Sequence, residues 1–255
     1  MEVGQLWRHP VKSLQGEQVV EAVVEGDGVR GDRAWGIRDE ATGRILTGRR
    51  EPDLLLAAST LTDDGRPQIA LPSGEACVGT GPASDAALSA WLGRAVRLVA
   101  AVDVPPSTAE FFADATDDSS AAIEWTMPQD RFVDTMPVLL LTTASLRAGA
   151  ALHPEGAWEP RRFRPNVLIE ADGADGFVED DWCGRIVRVG EVEFEPQQPC
   201  GRCTMVTRPQ PGLDRDLDVY KVLARHHGGT FGVWATVRTP GTIRAGDPVE
   251  VLPAR

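Results

Sequence analysis

The sequence predicts a mainly β fold with a few helices. Short apolar runs, several of them rich in valine, recur along the chain and are separated by Gly-Asp, Thr-Gly and Asp-Gly pairs. Such punctuation is typical of strands joined by tight turns. Few stretches show helical spacing or a helical cap. A length of 255 residues suffices for one large domain or two modest ones.

Residues 1–105 are predicted to form short strands with frequent turns, as in a small barrel or sandwich. One helix is expected at Ser84–Leu92, because its apolar side chains recur on one face of a helix. The predicted strands in this part are Glu17–Glu25, Ala34–Arg38 and Leu54–Leu61.

Residues 131–255 are predicted to contain further strands and a capped helix. Thr142–Ala151 is expected to be this helix, with Thr or Ser as its N-cap. Ile186–Phe194 alternates apolar and polar residues around Gly190, which predicts a hairpin. The other predicted strands are Pro137–Leu141, Pro165–Glu170, Phe231–Val237 and Thr242–Leu252, the last with a turn at Ala245–Asp247; a helix is expected to end near His226–His227.

The segment between these parts, residues 106–130, differs in composition. It contains prolines, serines and the acidic run Asp114–Asp118. This composition is typical of a linker or an exposed loop, and it marks the best candidate boundary between two halves.

The net charge of −12 argues against two classes of partner. An acidic protein repels nucleic acid and anionic lipid, so we expect neither nucleic-acid binding nor membrane binding. No apolar run approaches the length of a membrane span, and the first residues lack the apolar core of a secretory signal. The expected location is the cytoplasm.

The four cysteines do not form a disulfide framework or a complete metal motif. Cys200 and Cys203 form one C-x-x-C pair, and a second pair that would complete a four-thiolate zinc site is absent. The spacings also exclude a ferredoxin-type iron–sulfur cluster. Three interpretations stay open for the pair: two buried structural residues, a redox pair, or a thiolate metal ligand whose ionised form the adjacent Arg202 would favour.

Three short motifs carry candidate anion-binding side chains. Lys12 beside Ser13 at a strand end can hold an anion or be a solvated surface lysine, and the presence of only two lysines in the chain favours anion binding. Arg33 in Gly-Asp-Arg can bind phosphate or simply close a turn. Arg164 and Asn166 follow two further arginines before a buried strand, where phosphate binding and a basic loop are equally compatible with the spacing. The four scattered histidines are not expected to bind metal.

The order of the motifs is more specific than any one of them. HPVKS, GDRAW, LTTASL, FRPN, DDW, PCGRC and PGTIRAGDPV follow one another along nearly the whole chain. In this order they resemble the MOSC family, and most of all the group that includes the mitochondrial amidoxime-reducing component and its bacterial counterparts. The resemblance implies an N-terminal β-barrel domain at 1–105, a linker at 106–130 and a MOSC domain with a few helices at 131–255.

The resemblance also implies a cofactor and the residues that bind it. The family carries a pyranopterin molybdenum cofactor, and the second cysteine of its C-x-R-C motif, Cys203 here, is the metal ligand and the catalytic position. The matched cofactor-binding positions are Lys12, Ser13, Arg33, Ser145, Arg164, Asn166, Arg202 and Cys203.

The implied activity is reduction of N-hydroxylated small molecules, N–OH to N–H, at a cysteine-ligated molybdenum centre. Electrons would come from an external electron-transfer protein and its reductase, because the chain shows no iron–sulfur, flavin or nucleotide motif. One alternative is a molybdenum-cofactor carrier or sulfur-transfer protein with Cys203 as persulfide carrier. A second is a non-enzymatic domain that has lost its cofactor.

Overall fold

Strands dominate the computed structural model, which describes residues 1–112, 120–127 and 130–253. The strands are β1 (Glu2–Arg8), β2 (Glu17–Val19), β3 (Glu21–Glu25), β4 (Gly28–Val29), β5 (Trp35–Asp39), β6 (Ala58–Leu61), β7 (Pro67–Ala70), β8 (Ala76–Val78), β9 (Val96–Ala100), β10 (Thr108–Phe112), β11 (Ala122–Thr126), β12 (Val138–Thr142), β13 (Val167–Glu170), β14 (Val187–Val189), β15 (Val192–Gly201), β16 (Thr230–Thr239), β17 (Gly241–Arg244) and β18 (Val249–Val251). The α-helices are α1 (Pro82–Leu92), α2 (Thr143–Leu152), α3 (Pro160–Phe163) and α4 (Leu217–His226). The predicted fold class is confirmed.

The main sheet combines strands from both ends of the chain. Its eight strands lie in the order β18-β14-β15-β16-β12-β13-β1-β2. Neighbours are antiparallel, except that β12 and β13 run parallel. Strand β17 also pairs with β3 in a separate sheet. The N-terminal and C-terminal parts are therefore joined by backbone hydrogen bonds. The division of the chain into two domains at 106–130 remains a prediction.

The core of the main sheet explains its strand pattern. Val192 and Phe194 on β15 are buried while Glu193 between them is partly exposed, as expected for one covered face. Every residue of β12 is buried, because this strand lies between two neighbours and is covered on both faces. These central strands give a rigid base to the loops at their ends.

A second core lies within the N-terminal part. Helix α1 packs on β9 and β8, and Leu88 from the helix meets Ile69 and Leu98 from the small sheets. The helix predicted at Ser84–Leu92 is confirmed and begins at Pro82, which suits the first helical turn. It ends before Gly93, whose φ of 66° lies in the left-handed region.

Other predicted elements are confirmed, and two are corrected. Thr142 caps α2 by accepting a hydrogen bond from the Ser145 amide at 3.1 Å, and Gly190 forms the hairpin turn between β14 and β15 with a φ of 56°. The strand predicted at Leu54–Leu61 begins instead as a 3-10 turn at Pro52–Leu56, where a proline occupies its first turn. The strand predicted at Glu17–Glu25 is divided at Val20 into β2 and β3.

The segment predicted as a linker forms a hairpin where it is described. Strands β10 and β11 pair antiparallel. The Ile45 amide donates to the Thr108 carbonyl at 3.1 Å, and the Thr47 hydroxyl donates to the Glu110 carbonyl at 3.1 Å. These contacts to residues 45–47 are non-local, so composition could not predict them. The acidic run Asp114–Asp118 lies outside the described residues. Within the described ranges, no helix is long and apolar enough to cross a membrane.

Asp32 fixes two N-terminal loops to each other. Its side chain is buried and accepts a hydrogen bond from the His9 amide at 2.7 Å. The Arg33 guanidinium pairs with its other oxygen. Burial and the charge of Arg164 lower the pKa of His9 to about 3, so the ring stays neutral in the folded protein. The neutral state of His9 therefore contributes to the pH dependence of folding.

Acid should destabilise the protein partly through His9. Between pH 6.5 and about 3 the unfolded chain binds a proton on His9 that the folded chain does not, so the free energy of unfolding falls as pH falls. The loss between pH 6.5 and 4.5 should be on the order of 2 kcal/mol. His9→Gln should lose less stability over this window in urea unfolding, whereas exposed His226→Gln should match wild type. Equal losses in wild type and His9→Gln would contradict the assignment.

Candidate functional site

A cavity of about 290 Å³ lies where loops from both halves meet. The N-terminal half contributes the loops after β1 and before β5, together with residue 49. The C-terminal half contributes the end of α3 and the end of β15. The lining residues are Lys12, Ser13, Arg33, Arg49, Ala109, Trp125, Asp134, Thr135, Leu139, Arg162, Phe163, Arg164, Cys200, Gly201, Arg202, Cys203, Met205, Val206 and Trp234.

Strained backbone is concentrated at this cavity. Ser13, Arg33 and Arg164 have φ values of 70°, 51° and 58°, in the left-handed region that L-residues seldom adopt. They are three of the four non-glycine residues with positive φ in the described chain, the fourth being Asp130. Such strain costs on the order of 1 kcal/mol per residue and persists where the surroundings enforce it. The loops are thus shaped to present these side chains.

A partly buried ion network forms one wall. Lys12 Nζ donates to Asp134 Oδ1 at 2.6 Å and to the Phe132 carbonyl at 2.9 Å. The Arg49 guanidinium pairs with the same carboxylate. Burial alone would raise the pKa of Asp134, but Arg49 and Lys12 outweigh it and hold that pKa well below its usual range. Burial lowers the pKa of Lys12. Asp134 therefore stays ionised and orients both cations.

The two thiols of the C-x-x-C pair lie in different surroundings. Cys200 is buried, and burial raises the pKa of its thiol. Cys203 follows the end of β15 and is partly exposed. Arg202 was expected to act on Cys203, but its Nη1 donates to Cys200 Sγ at 2.9 Å. It is Arg49 Nε that donates to Cys203 Sγ, at 3.3 Å. Adjacency in sequence misled here because successive side chains in an extended segment point to opposite sides.

Two guanidinium groups each keep one buried, free donor at the cavity. Arg164 Nη1 donates to the Leu14 carbonyl at 2.6 Å, and Arg202 Nη2 donates to the Phe163 carbonyl at 2.6 Å. Arg164 Nη2 and Arg202 Nε are buried and have no hydrogen-bond partner among the described residues. Burial, with the charge of Arg33, lowers the pKa of Arg164 to about 9. Unsatisfied buried donors are costly, so the arrangement suits a bound anion.

The charges and the remaining wall define what the cavity can bind. Among the described lining residues six are cationic and one, Asp134, is acidic, although the whole chain carries a net charge of −12. Trp125, Leu139, Met205 and Trp234 form an apolar part of the lining. The cavity therefore offers cations and a thiol to an anionic group, and an apolar surface to an organic one.

Six of the eight predicted cofactor-binding residues line this cavity, and two do not. Asn166 is buried in the sheet, where its Oδ1 accepts from the Leu139 amide at 3.1 Å and its Nδ2 donates to the Trp7 carbonyl at 3.4 Å. Ser145 is buried in the first turn of α2. The Asn166 side chain therefore links the strands behind the cavity, and Ser145 lies in the helix that follows β12.

Sequence reasoning missed Arg49, Asp134 and the two tryptophans of the lining. Arg49 lies in an arginine-rich chain with only two lysines, so its residue type carried little information. Asp134 lies just beyond the segment predicted as a linker. Among the described residues, no cluster of three or more His, Cys, Asp or Glu could hold a metal ion. His153 and His227 instead pair with Asp216 and Asp180.

The fold and the cavity together define a strand-rich protein with a largely cationic cavity beside a thiol. The family model described as the MOSC N-terminal beta barrel domain matches residues 1–104, and the model described as the MOSC domain matches residues 128–250. The chain belongs to the MOSC family, so the resemblance of its motifs is confirmed.

The chain is similar to several characterised proteins and solved structures. Mitochondrial amidoxime-reducing component 1 of Mus musculus is 27% identical over 98% of this chain and 82% of its own length, and that of Homo sapiens is 26% identical over the same shares. Molybdenum cofactor sulfurase of Danio rerio is 27% identical over 90% of this chain but only 31% of its own length. The YUAD protein of Bacillus subtilis covers 98% of this chain and 94% of its own, with 12% identity and a TM-score of 0.48.

Arg164→Ala should weaken binding of inorganic phosphate to the cofactor-free protein. The change removes a charged donor, and a charge-assisted hydrogen bond is worth about 1.5–3 kcal/mol. The dissociation constant measured by calorimetry should rise about 10- to 100-fold. The exposed Arg66→Ala is the matched control and should bind as wild type does.

Unchanged affinity in Arg164→Ala at neutral pH would exclude Arg164 from the anion site.

Proposed function

We propose that this protein is a molybdenum-cofactor-dependent oxidoreductase that reduces N-hydroxylated compounds, with Cys203 as the metal ligand. The observation that supports this proposal most is that one cavity holds the Cys203 thiol together with free donors of Arg164 and Arg202. The names of the similar amidoxime-reducing components support the reaction class. Membership of the MOSC family supports the cofactor class.

The residues present fit a phosphorylated pterin cofactor. Its anionic phosphate would take the unpaired donors of Arg164 and Arg202, with Lys12, Ser13 and Arg33 nearby. A lone protein thiolate requires that the cofactor bring most of the metal's other ligands, which a pterin dithiolene can do. Ser145 and Asn166 would contribute by holding the elements that carry these residues.

The reaction consumes two electrons and two protons: the N–O bond breaks, an N–H bond forms, and the oxygen leaves as water. When bound, the cofactor would supply the two-electron redox chemistry, and the chain supplies position and electrostatics. Trp125, Leu139 and Trp234 would hold the organic part of the substrate and exclude water from it. Asp134 stays ionised between Arg49 and Lys12, so it serves to orient these cations and is a poor proton donor.

Purified protein should not reduce an N-hydroxylated substrate with NADH alone. The sequence contains no flavin, nucleotide or iron–sulfur motif through which hydride could be converted to single electrons. Activity should appear when a reductase with a small electron carrier, or a reduced dye, is added. The measurement is product formation with each donor, and turnover with NADH and no partner would refute the need for one.

Cys203→Ser should abolish activity while Cys200→Ser retains most of it. Serine replaces a soft thiolate with a hard and mostly protonated hydroxyl, a poor ligand for this metal site. Pterin content should persist in Cys203→Ser, because the anion-binding side chains are intact. The measurements are N-reductive activity, molybdenum and pterin in both variants, with Cys183→Ser as a thiol control outside the cavity. If Cys203→Ser is active and Cys200→Ser is inactive, Cys200 is the metal ligand. If both variants are active, neither thiol is an essential ligand.

A second candidate function is cofactor handling, in which Cys203 carries a persulfide. The match to a molybdenum cofactor sulfurase favours it, although this chain spans less than a third of that protein. Protein made in a cofactor-competent host distinguishes the two. An oxidoreductase should retain stoichiometric molybdenum, whereas a sulfur carrier should release cyanide-reactive sulfur from Cys203 and hold little metal.

A further inference from the structure

Arg49 is the cavity residue whose contacts the cofactor-binding role does not explain. Its Nε lies 3.3 Å from Cys203 Sγ, within the range of an N–H···S hydrogen bond. Its side chain is only 13% exposed, so solvent competes little for this donor. The guanidinium thus directs one donor at the sulfur that would bind the metal.

Three contacts hold this donor in place. The two terminal nitrogens of Arg49 pair with Asp134. Asp134 is itself fixed by Lys12, whose Nζ is 2.6 Å from Oδ1. At the backbone, Arg208 Nη2 donates to the Arg49 carbonyl at 3.0 Å. A planar guanidinium that is fixed on one edge can present its Nε–H in a single direction, which an ammonium on a flexible stem cannot do.

Neither Arg202, next to Cys203, nor Arg50, next to Arg49, duplicates this contact. Arg202 directs its nitrogens at Cys200 Sγ and the Phe163 carbonyl. Arg50, next in sequence to Arg49, pairs with Glu110 of β10. Two adjacent arginines of one loop therefore face different partners, which gives a matched control for the role of Arg49.

We infer that Arg49 is a positioning residue for the metal-binding thiol, and that its Nε–H···Sγ bond to Cys203 raises the reduction potential of the centre. The inference rests on the proposed function. A hydrogen bond to a ligating sulfur withdraws electron density from it, so the sulfur donates less charge to the metal and the reduced state is favoured. Arg49 would act on the metal through Cys203, and Asp134 would act through Arg49.

The test compares Arg49→Gln and Arg49→Lys with Arg50→Gln in the metal-loaded protein. Molybdenum and pterin content are measured first, and the midpoint potential is then determined by a redox titration followed by electron paramagnetic resonance. In Arg49→Gln the ratio of reduced to oxidised centre at a fixed potential should fall about tenfold, because a charge-assisted donor is lost. That change equals a negative shift of about 59 mV for a one-electron step.

Arg49→Lys keeps the charge but not the fixed fork, so its shift should be smaller and in the same direction. Arg50→Gln should keep the wild-type potential and the wild-type sulfur-to-metal absorption band. A wild-type potential in whichever Arg49 variant retains metal would overturn the inference and leave the proposed function intact. Absence of molybdenum from wild-type protein made in a competent host would overturn both.

Discussion

The carboxylate of Asp134 is the contact on which the cavity depends. Cations buried close to one another repel, and each also loses its hydration, so they need a negative partner. Asp134 accepts from both Lys12 and Arg49, and it is the one acidic side chain among the described lining residues. It neutralises part of the wall and leaves Arg164 and Arg202 with free donors. These free donors are suited to an anionic group such as a phosphate.

The sharing of strands between halves explains why the cavity can be built at all. Strand β1 lies beside β13 in the main sheet, so the loop after β1 is held next to the end of α3. Arg164 Nη1 donates across this junction to the Leu14 carbonyl. Arg49 makes the same kind of link to Cys203. Because the thiol and its donor belong to different halves, relative movement of the halves would change the hydrogen bond at the sulfur.

Much of the fold could be predicted from the sequence, because its strands and caps are local signals. Gly190 marks a hairpin and Thr142 caps α2 without reference to the rest of the chain. The site was less predictable. Motif order identified the loops, but no motif indicated Arg49. Its role is seen only in the folded chain, where it contacts Cys203, 154 positions further along. The partner of Arg202 was mistaken for the same reason, since the direction of a side chain depends on backbone torsions that residue type does not fix.

The two thiols show how the fold can assign different roles to residues of one type. Cys200 is 3% exposed and lies beneath Arg202, and burial raises the pKa of its thiol. Burial of this kind favours a structural role for Cys200. Cys203 follows the last strand residue, where the chain leaves β15 for a 3-10 turn, and its sulfur is reached by a fixed cation. A ligand to a metal must be both accessible and electrostatically supported, and among these two only Cys203 meets both conditions. The strand end therefore separates the pair: Cys200 stays buried within the sheet, whereas Cys203 lies beyond it and is partly exposed.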